Sequence, residues 1–336
     1  MESTRYNELF IQVLAQMAQQ TAAKGEHFKT KAYKKAQETI MNFSGNITKL
    51  EDIKDLPGIG KSILERLGQS ILTQPTMSQS EVVEDPHNIL AGVYGIGPKK
   101  AAELVASGIT TIKKLREIQN EVLNDKQIIG LRYYEDVLKR IPRSEINEYN
   151  EILGKTMLDT LHVYGFEEKD AALEIVGSYR RGSTDSGDID VIITTKCPQI
   201  FILWIDKLIK SKVILEVLSR GPSKCLVMAQ IPGAKCVRRV DFLYSPPDEY
   251  AFSILYFTGS KEFNTAMRMR ALEYGLTLNE HGFHHMVAGT KGKKVKGPKL
   301  TKEFKDEKAI FEQLEMVWKE PHERKNGYCV VGLENV

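Results

Sequence analysis

The spacing of apolar residues changes character along this chain. Residues up to about Thr73 read as helical, with Leu9, Val13, Leu14 and Met17 forming one apolar stripe at helical spacing. A second helix runs through KTKAYKKAQETIMNF, and LPGIGKSILERL follows from Leu56 to Leu67. The stretch QPTMSQSEVVEDP is polar and holds two prolines, so it reads as a linker or short connecting segment. Next comes YGIGPKKAAELVASGI, from Tyr94 to Ile109. From Ala171 onward the texture turns strand-like, in LEIVG, DIDVIIT, KCLVMAQI and CVRRVDFLY, with the long apolar helix PQIFILWIDKLIK among them. That mix predicts an α+β domain whose sheet carries acidic side chains. After Pro246-Pro247, Ser260 is placed to cap a helix starting at Lys261. On that helix Lys261, Asn264 and Arg268 share a polar face, while Phe263, Met267 and Ala271 line an apolar one.

Composition narrows the class without naming a function. A chain of 336 residues allows two or more domains and a sizeable core. Its net charge of +3 is too mild to prove a nucleic-acid partner. Cys197, Cys225, Cys236 and Cys329 show no CxxC spacing and read as reduced thiols of an intracellular protein. The N-terminus MESTRYNELF lacks the pattern of a signal peptide, and ILYF and IFILWI are too short to span a bilayer. A membrane partner is therefore not expected, and no dinucleotide fingerprint of the Rossmann type appears.

Two segments repeat one idea: an apolar residue, then GIG, then an amphipathic helix with lysine. Glycines at 58, 60, 95 and 97 let the backbone turn tightly and present successive N–H groups, with Lys61 and Lys99 close behind. Such turns at helix N-termini bind DNA phosphates without reading sequence, the pattern of helix-hairpin-helix motifs. The bland alternative is a pair of ordinary helix-connecting turns. TKGKKVKGPKLTK is the sharpest charge run; Gly292 and Gly297 flank it and suggest a hairpin, which touches nucleic-acid phosphates or is simply a solvated loop.

The richest stretch is GSYRRGSTDSGDIDVII, from Gly177 to Ile193. Asp188 and Asp190 leave the same face of a strand, among apolar Ile189, Val191, Ile192 and Ile193. Two carboxylates held together repel unless a cation sits between them, and a hard divalent ion suits oxygen ligands. The Gly177-Ser178 turn, with Arg180 and Arg181, offers N–H groups and charge to phosphate oxygens. Asp241, on one face with Arg239 in CVRRVDFLY, is the best third carboxylate. Carboxylate-bound metal beside a phosphate cradle is equipment for phosphoryl or nucleotidyl transfer. Against this stands the frequency of DxD in surface turns.

These segments together resemble the family X DNA polymerases, in their polymerase beta type. The likeness covers nearly the whole chain, through AYKKA, LPGIG, YGIGP, GLRYYED, KRIPR, GSYRRG, GDIDV, RRVDF, YFTGS, FN, MR and NE. It implies an α+β protein in four parts. They are a helical 5′-phosphate-binding domain (1–80), a duplex-binding helical subdomain (81–142), a nucleotidyltransferase palm with a mixed sheet (143–247), and a nucleotide-selecting α/β subdomain (248–336). The implied reaction is template-directed addition of a dNTP to a primer 3′-OH in gapped or nicked DNA, by a monomer acting in base excision repair. The implied compartment is the nucleus or, for a viral protein, cytoplasm or virion.

The resemblance also implies roles. Asp188 and Asp190 would bind two magnesium ions, with manganese as a substitute, and Asp241 the one that activates the primer hydroxyl. Ser178, Arg181, Ser186 and Gly187 would hold the triphosphate; Tyr256, Phe257 and Gly259 would shape the sugar pocket. Asn264 would reach the minor-groove edge of the incoming base, and Arg268 the template. Lys29, Tyr33, Gly58, Gly60, Lys61, Gly95, Gly97, Lys99 and Arg239 complete the expected DNA contacts, with a monovalent cation at the two GIG turns.

Several positions depart from the family pattern. The nucleophile of the family's deoxyribose-phosphate lyase is Arg66 here, another lysine of that helix is Ser62, and Lys61 points elsewhere on it. A guanidinium stays protonated and forms no Schiff base, so phosphate binding reads as retained and lyase chemistry as weak or lost. Leu243 stands where the family has an arginine, and Lys261 where it has an acid. The tail GYCVVGLENV continues past the family pattern. A template-independent nucleotidyltransferase on the same palm is the rival enzyme, opposed by Tyr256-Phe257 in place of a Gly-Trp pair. A DNA-binding scaffold with a decayed palm is the rival outside enzymes, opposed by the three intact aspartates.

Overall fold

Apolar residues at helical spacing build the first of two units. The computed structural model describes residues 6–23, 26–41, 43, 46–72, 85–288 and 294–335, and divides into Met1–Tyr134 and Glu135–Val336. In the first unit α1 (Asn7–Ala23), α2 (His27–Met41) and α3 (Lys61–Leu72) close around Phe10, Leu14, Ile40, Ile47 and Leu67. The buried face of α1 centres on Phe10, Leu14 and Ala18; Leu9, Val13 and Met17 are only partly buried. The reason is that α1 packs against both α2 and α3, which rotates its covered stripe. A second cluster gathers α4 (Pro86–Ala91), α5 (Pro98–Ala106), α6 (Ile112–Glu117), α7 (Gln119–Val122) and α8 (Asp125–Arg132) around Leu90, Ile96, Ala101, Leu104, Leu115 and Leu131. The predicted connecting stretch lies outside the described residues except Asp85 and Pro86, which start α4; the Asp85 carboxylate accepts from the His87 N–H at 3.0 Å.

After α9 (Tyr134–Leu138) the second unit alternates strands and helices: β1 (Ile141–Pro142), α10 (Arg143–Val163), β2 (Ala171–Ile175), α11 (Gly177–Arg180), β3 (Asp185–Ser186), β4 (Ile189–Thr195), α12 (Gln199–Lys210), β5 (Ile214–Arg220), β6 (Lys224–Ala229) and β7 (Arg238–Tyr244). Its sheet runs β2-β4-β7-β6-β5, with β4 and β7 parallel and the other pairs antiparallel. Helices α10 and α12 cover one face through Tyr149, Leu153, Phe201 and Trp204, packed on Val191 and Phe242. Trp204 meets Phe242 edge-on at 5.1 Å. Each such fully buried side chain contributes about 1.5–3 kcal/mol. The run at β5 escapes sequence reading because two bulges break its period of two.

The other face of β4 and β7 carries Ile192 and Leu243, covered by Ile254 of α13 (Tyr250–Thr258). Then come α14 (Lys261–Glu273), β8 (Leu276–Asn279), β9 (Gly282–Ala288), β10 (Lys294–Lys299) and α15 (Glu307–Gln313) around Phe252, Phe263, Phe283, Phe304 and Phe311. Strands β9 and β10 are antiparallel neighbours, but Gly297 lies inside β10 and not in a turn. A Cβ there would stand 2.7 Å from Val287 Cγ1, so glycine serves close strand approach. Gly292 lies outside the described residues.

Candidate active site

Parallel pairing sets Asp190 of β4 directly beside Asp241 of β7. Alternation puts both on the face of Ile192 and Leu243, two residues further along, so the acids border an apolar patch. Burial, then the charge of Asp241, pushes the Asp190 pKa up to about 6. Burial raises Asp241 as well, against the pull of Arg239 and Lys224. Asp188 stands just ahead of β4 and pairs with the Arg239 guanidinium, whose Nε lies 3.7 Å from Asp241 Oδ1. Both Arg239 Nε and Asp241 Oδ1 are buried without a hydrogen-bond partner. Arg239, expected at DNA, thus sits among the acids.

These donors fit a hard divalent cation. Paired carboxylates of raised pKa and an orphaned carboxylate oxygen are what such an ion satisfies. Among the described residues no group of three or more His, Cys, Asp or Glu side chains forms a ready cage. Magnesium asks for none, since it takes one or two carboxylates and fills its shell with water and substrate phosphate.

The turn expected to hold phosphate lies at α11. Gly177 has φ +65°, and a Cβ there would come within 3.0 Å of Asp190 Oδ2, so only glycine lets the turn lie on the acid. Ser178 lines the cleft and donates its hydroxyl to Ser186 at 2.8 Å. Ser186 itself is buried, and its hydroxyl steadies that of Ser178. Arg181 donates to the Thr258 carbonyl at 2.6 Å and stays partly buried, which holds its pKa below the ordinary arginine value. Across a cleft of about 780 Å³ stand Tyr256, Phe257, Gly259, Asn264 and Arg268. Asn264 Nδ2 donates to the Tyr256 carbonyl at 2.6 Å, and the Tyr256 ring meets Phe257 edge-on at 5.1 Å. The Ser260 hydroxyl accepts from the Phe263 N–H, capping α14 as the sequence predicts, and Phe263, Met267 and Ala271 are buried. Arg140 was not among the expected site residues. It lines the cleft beside Gly187 and is held by Asp185, and its only sequence signal is the basic pair in KRIPR.

In the first unit Gly58 and Gly95 have φ +85° and +86°, where an L side chain is strained. Gly60 and Gly97 differ: a Cβ at either meets nothing within 4 Å, so internal packing leaves both faces open to close approach. Lys61 and Lys99 are exposed beside them. Lys29 is exposed and paired with Glu26 at 2.9 Å. Tyr33, expected at DNA, is buried in the core formed by α1, α2 and α3. Arg66 is exposed on α3.

Four family models match the chain in series. They are described as helix-hairpin-helix domain (5–74), fingers domain of DNA polymerase lambda (88–138), DNA polymerase beta palm (140–247) and DNA polymerase beta thumb (253–325). DNA polymerase lambda of Arabidopsis thaliana is 28% identical over 323 residues, 90% of this chain and 59% of that protein. DNA polymerase lambda of Rattus norvegicus is 28% identical over 337 residues, 96% of this chain and 57% of that protein. DNA polymerase type-X family protein pol4 of Schizosaccharomyces pombe is 26% identical over 341 residues, 96% of this chain and 65% of that protein. The chain therefore spans 57–65% of the length of these relatives. With palm, thumb, fingers and helix-hairpin-helix regions matched in order, and acids set on the palm sheet, the chain belongs to the family X DNA polymerases.

Proposed function

We propose that this protein is a template-directed, gap-filling DNA polymerase that adds a dNTP to a primer 3′-OH. One observation carries the reading. Asp188 and Asp190, with Asp241 in register beside Asp190, share a cleft with the Gly177-Ser178 turn and the polar face of α14. Asp188, Asp190 and Asp241 would hold two magnesium ions, with manganese as a substitute, supplying Lewis-acid activation and charge neutralisation when bound. Ser178, Arg181 and Gly187 would bind the triphosphate, Tyr256 and Phe257 the sugar, and Asn264 and Arg268 the base pair being formed. Glycines 58, 60, 95 and 97 would grip phosphates on either side of the gap, with a monovalent cation at those turns. The setting proposed is base excision repair by an intracellular monomer, nuclear or, for a viral protein, in cytoplasm or virion.

Primer extension on a one-nucleotide gap with magnesium tests this. The expected result is incorporation of the nucleotide complementary to the template base. No incorporation, or incorporation indifferent to the template, overturns it. Binding to gapped DNA should weaken with salt at a log–log slope of about −0.7 to −0.9 per phosphate contact. A 5′-phosphate in the gap should tighten binding, and equal affinity without it would count against a phosphate pocket near Lys29 and Lys61.

Lyase chemistry should be weak or lost. A Schiff base needs a neutral amine, and Arg66 supplies none at usable pH. Borohydride trapping on an incised abasic site should give little adduct, and Arg66→Lys should gain it. Strong trapping by the wild type would refute the loss and map a substitute lysine.

A further inference from the structure

We infer that residues 326–335 are a clamp that positions α14, and through it Asn264 and Arg268, for nucleotide selection; the inference rests on the polymerase reading above. The thumb match ends at residue 325, so this segment lies beyond what the family model describes. It folds back along the thumb. The Asn326 side chain accepts from the Tyr328 N–H at 3.0 Å and opens a short turn, Gly327–Cys329, that packs on α14. Cys329 and Val330 rest on the thumb core. The Val317 N–H then donates to the Val331 carbonyl at 2.9 Å and the Leu333 N–H to the Glu315 carbonyl at 2.8 Å, with Met316 bridging Gly332.

Helix α14 is held at both ends, at its start by the residues that lead into the segment and near its end by the segment itself. At its start the Ser260 N–H donates to the Arg324 carbonyl and the Ser260 hydroxyl to the Lys325 carbonyl, each at 3.1 Å, where the chain enters the segment. Near its end both oxygens of Glu334 accept from Arg270, at 2.7 and 2.8 Å. Arg270 also donates through Nε to the Leu314 carbonyl at 3.1 Å, tying the helix to the end of α15. At 100° per residue Arg270 lies on the side of α14 away from Arg268, so the clamp holds the back of a helix whose front lines the cleft.

A pair with a half-exposed carboxylate stabilises little in water. A two-pronged arginine–carboxylate pair is directional, however, and fixes an angle. The neighbouring glycine points the same way. A Cβ at Gly332 would stand 2.3 Å from Glu334 Oε1, so glycine there leaves room for the carboxylate in its paired position. Arg270 and Glu334 are accordingly positioning residues, remote from the reacting atoms.

The test compares the full chain with Glu334→Gln, Gly332→Ala, Arg270→Gln, the Arg270→Gln/Glu334→Gln double variant and deletion of residues 326–336. In single-gap filling, KM for dNTP should rise about fivefold or more while kcat stays within about threefold. The double variant should be no worse than the worse single one, the mark of a shared interaction. Amide exchange across residues 262–272 should quicken in the deletion, while α12 exchanges as before. Faster exchange with unchanged KM overturns the positioning role and leaves the segment merely structural. Unchanged exchange overturns the clamp. If the wild type fills no gap the polymerase reading fails instead, and the clamp is judged on exchange of α14 alone.

Discussion

Asp190→Ala should abolish nucleotide incorporation, by about a thousandfold or more, with gapped-DNA affinity within about threefold of wild type. A thousandfold corresponds to about 4 kcal/mol of transition-state stabilisation, reasonable for a carboxylate that would hold the magnesium of the proposed reaction. Asp190 is the natural choice because it touches both halves of the site: it is the register partner of Asp241 and the atom against which Gly177 packs. The turns expected at DNA phosphates belong to the other unit and keep their residues, so binding should survive. Activity within tenfold of wild type would sink the assignment. Stability supplies an independent check. The folded pKa of about 6 exceeds the ordinary 3.8, so between those values the folded state binds more protons than the unfolded one. Stability contributed by Asp190 is therefore greatest at low pH and falls as pH rises from about 4 to about 6. At pH 7.5 without metal its charge costs up to about 3 kcal/mol. Asp190→Ala and Asp190→Asn should then melt no lower than wild type, and magnesium should raise the melting temperature of wild type alone. A variant that melts well below wild type would show that the carboxylate serves the fold.

Glu307→Ala should cost about 3–5 kcal/mol of stability in the second unit. Its carboxylate, nearly buried, accepts from Arg180 at 2.8 and 3.2 Å and from Arg324 at 2.5 Å. Arg324 is wholly buried, with its guanidinium 4.9 Å from the Trp318 ring centroid, 5.4 Å from Phe311 and 5.7 Å from Phe263. Losing the acid strands that charge away from solvent and leaves Arg180 to Glu174 alone among its carboxylate partners. Thermal and urea unfolding should both register the loss, at about 2–4 °C per kcal/mol for a unit of this size. A change under about 1 kcal/mol would mean that other groups or water take over the charge. The dNTP KM should rise too, because Arg180 anchors the turn that carries Ser178 and Arg181.

Local period and residue chemistry alone marked much of this molecule. The same-face spacing of Asp188 and Asp190, the Ser260 cap, the core and polar faces of α14, and the positive-φ turns at Gly58 and Gly95 all depend on neighbours a few residues away. Spacing is enough there because strands alternate and helices repeat by backbone geometry. Tertiary structure decided the rest. It chose the parallel register that brings Asp241 to Asp190 across 51 positions and the pairing of Arg239 with Asp188. It turned Ser186 and Tyr33 inward, where motif position suggested ligand contact, and bulged β5 out of its period. It also joined Arg270 to Glu334, 64 residues on. Register, inward rotation and ion-pair choice are settled by which buried surfaces meet, and a sequence read locally carries the period of each element but not the partner it packs against.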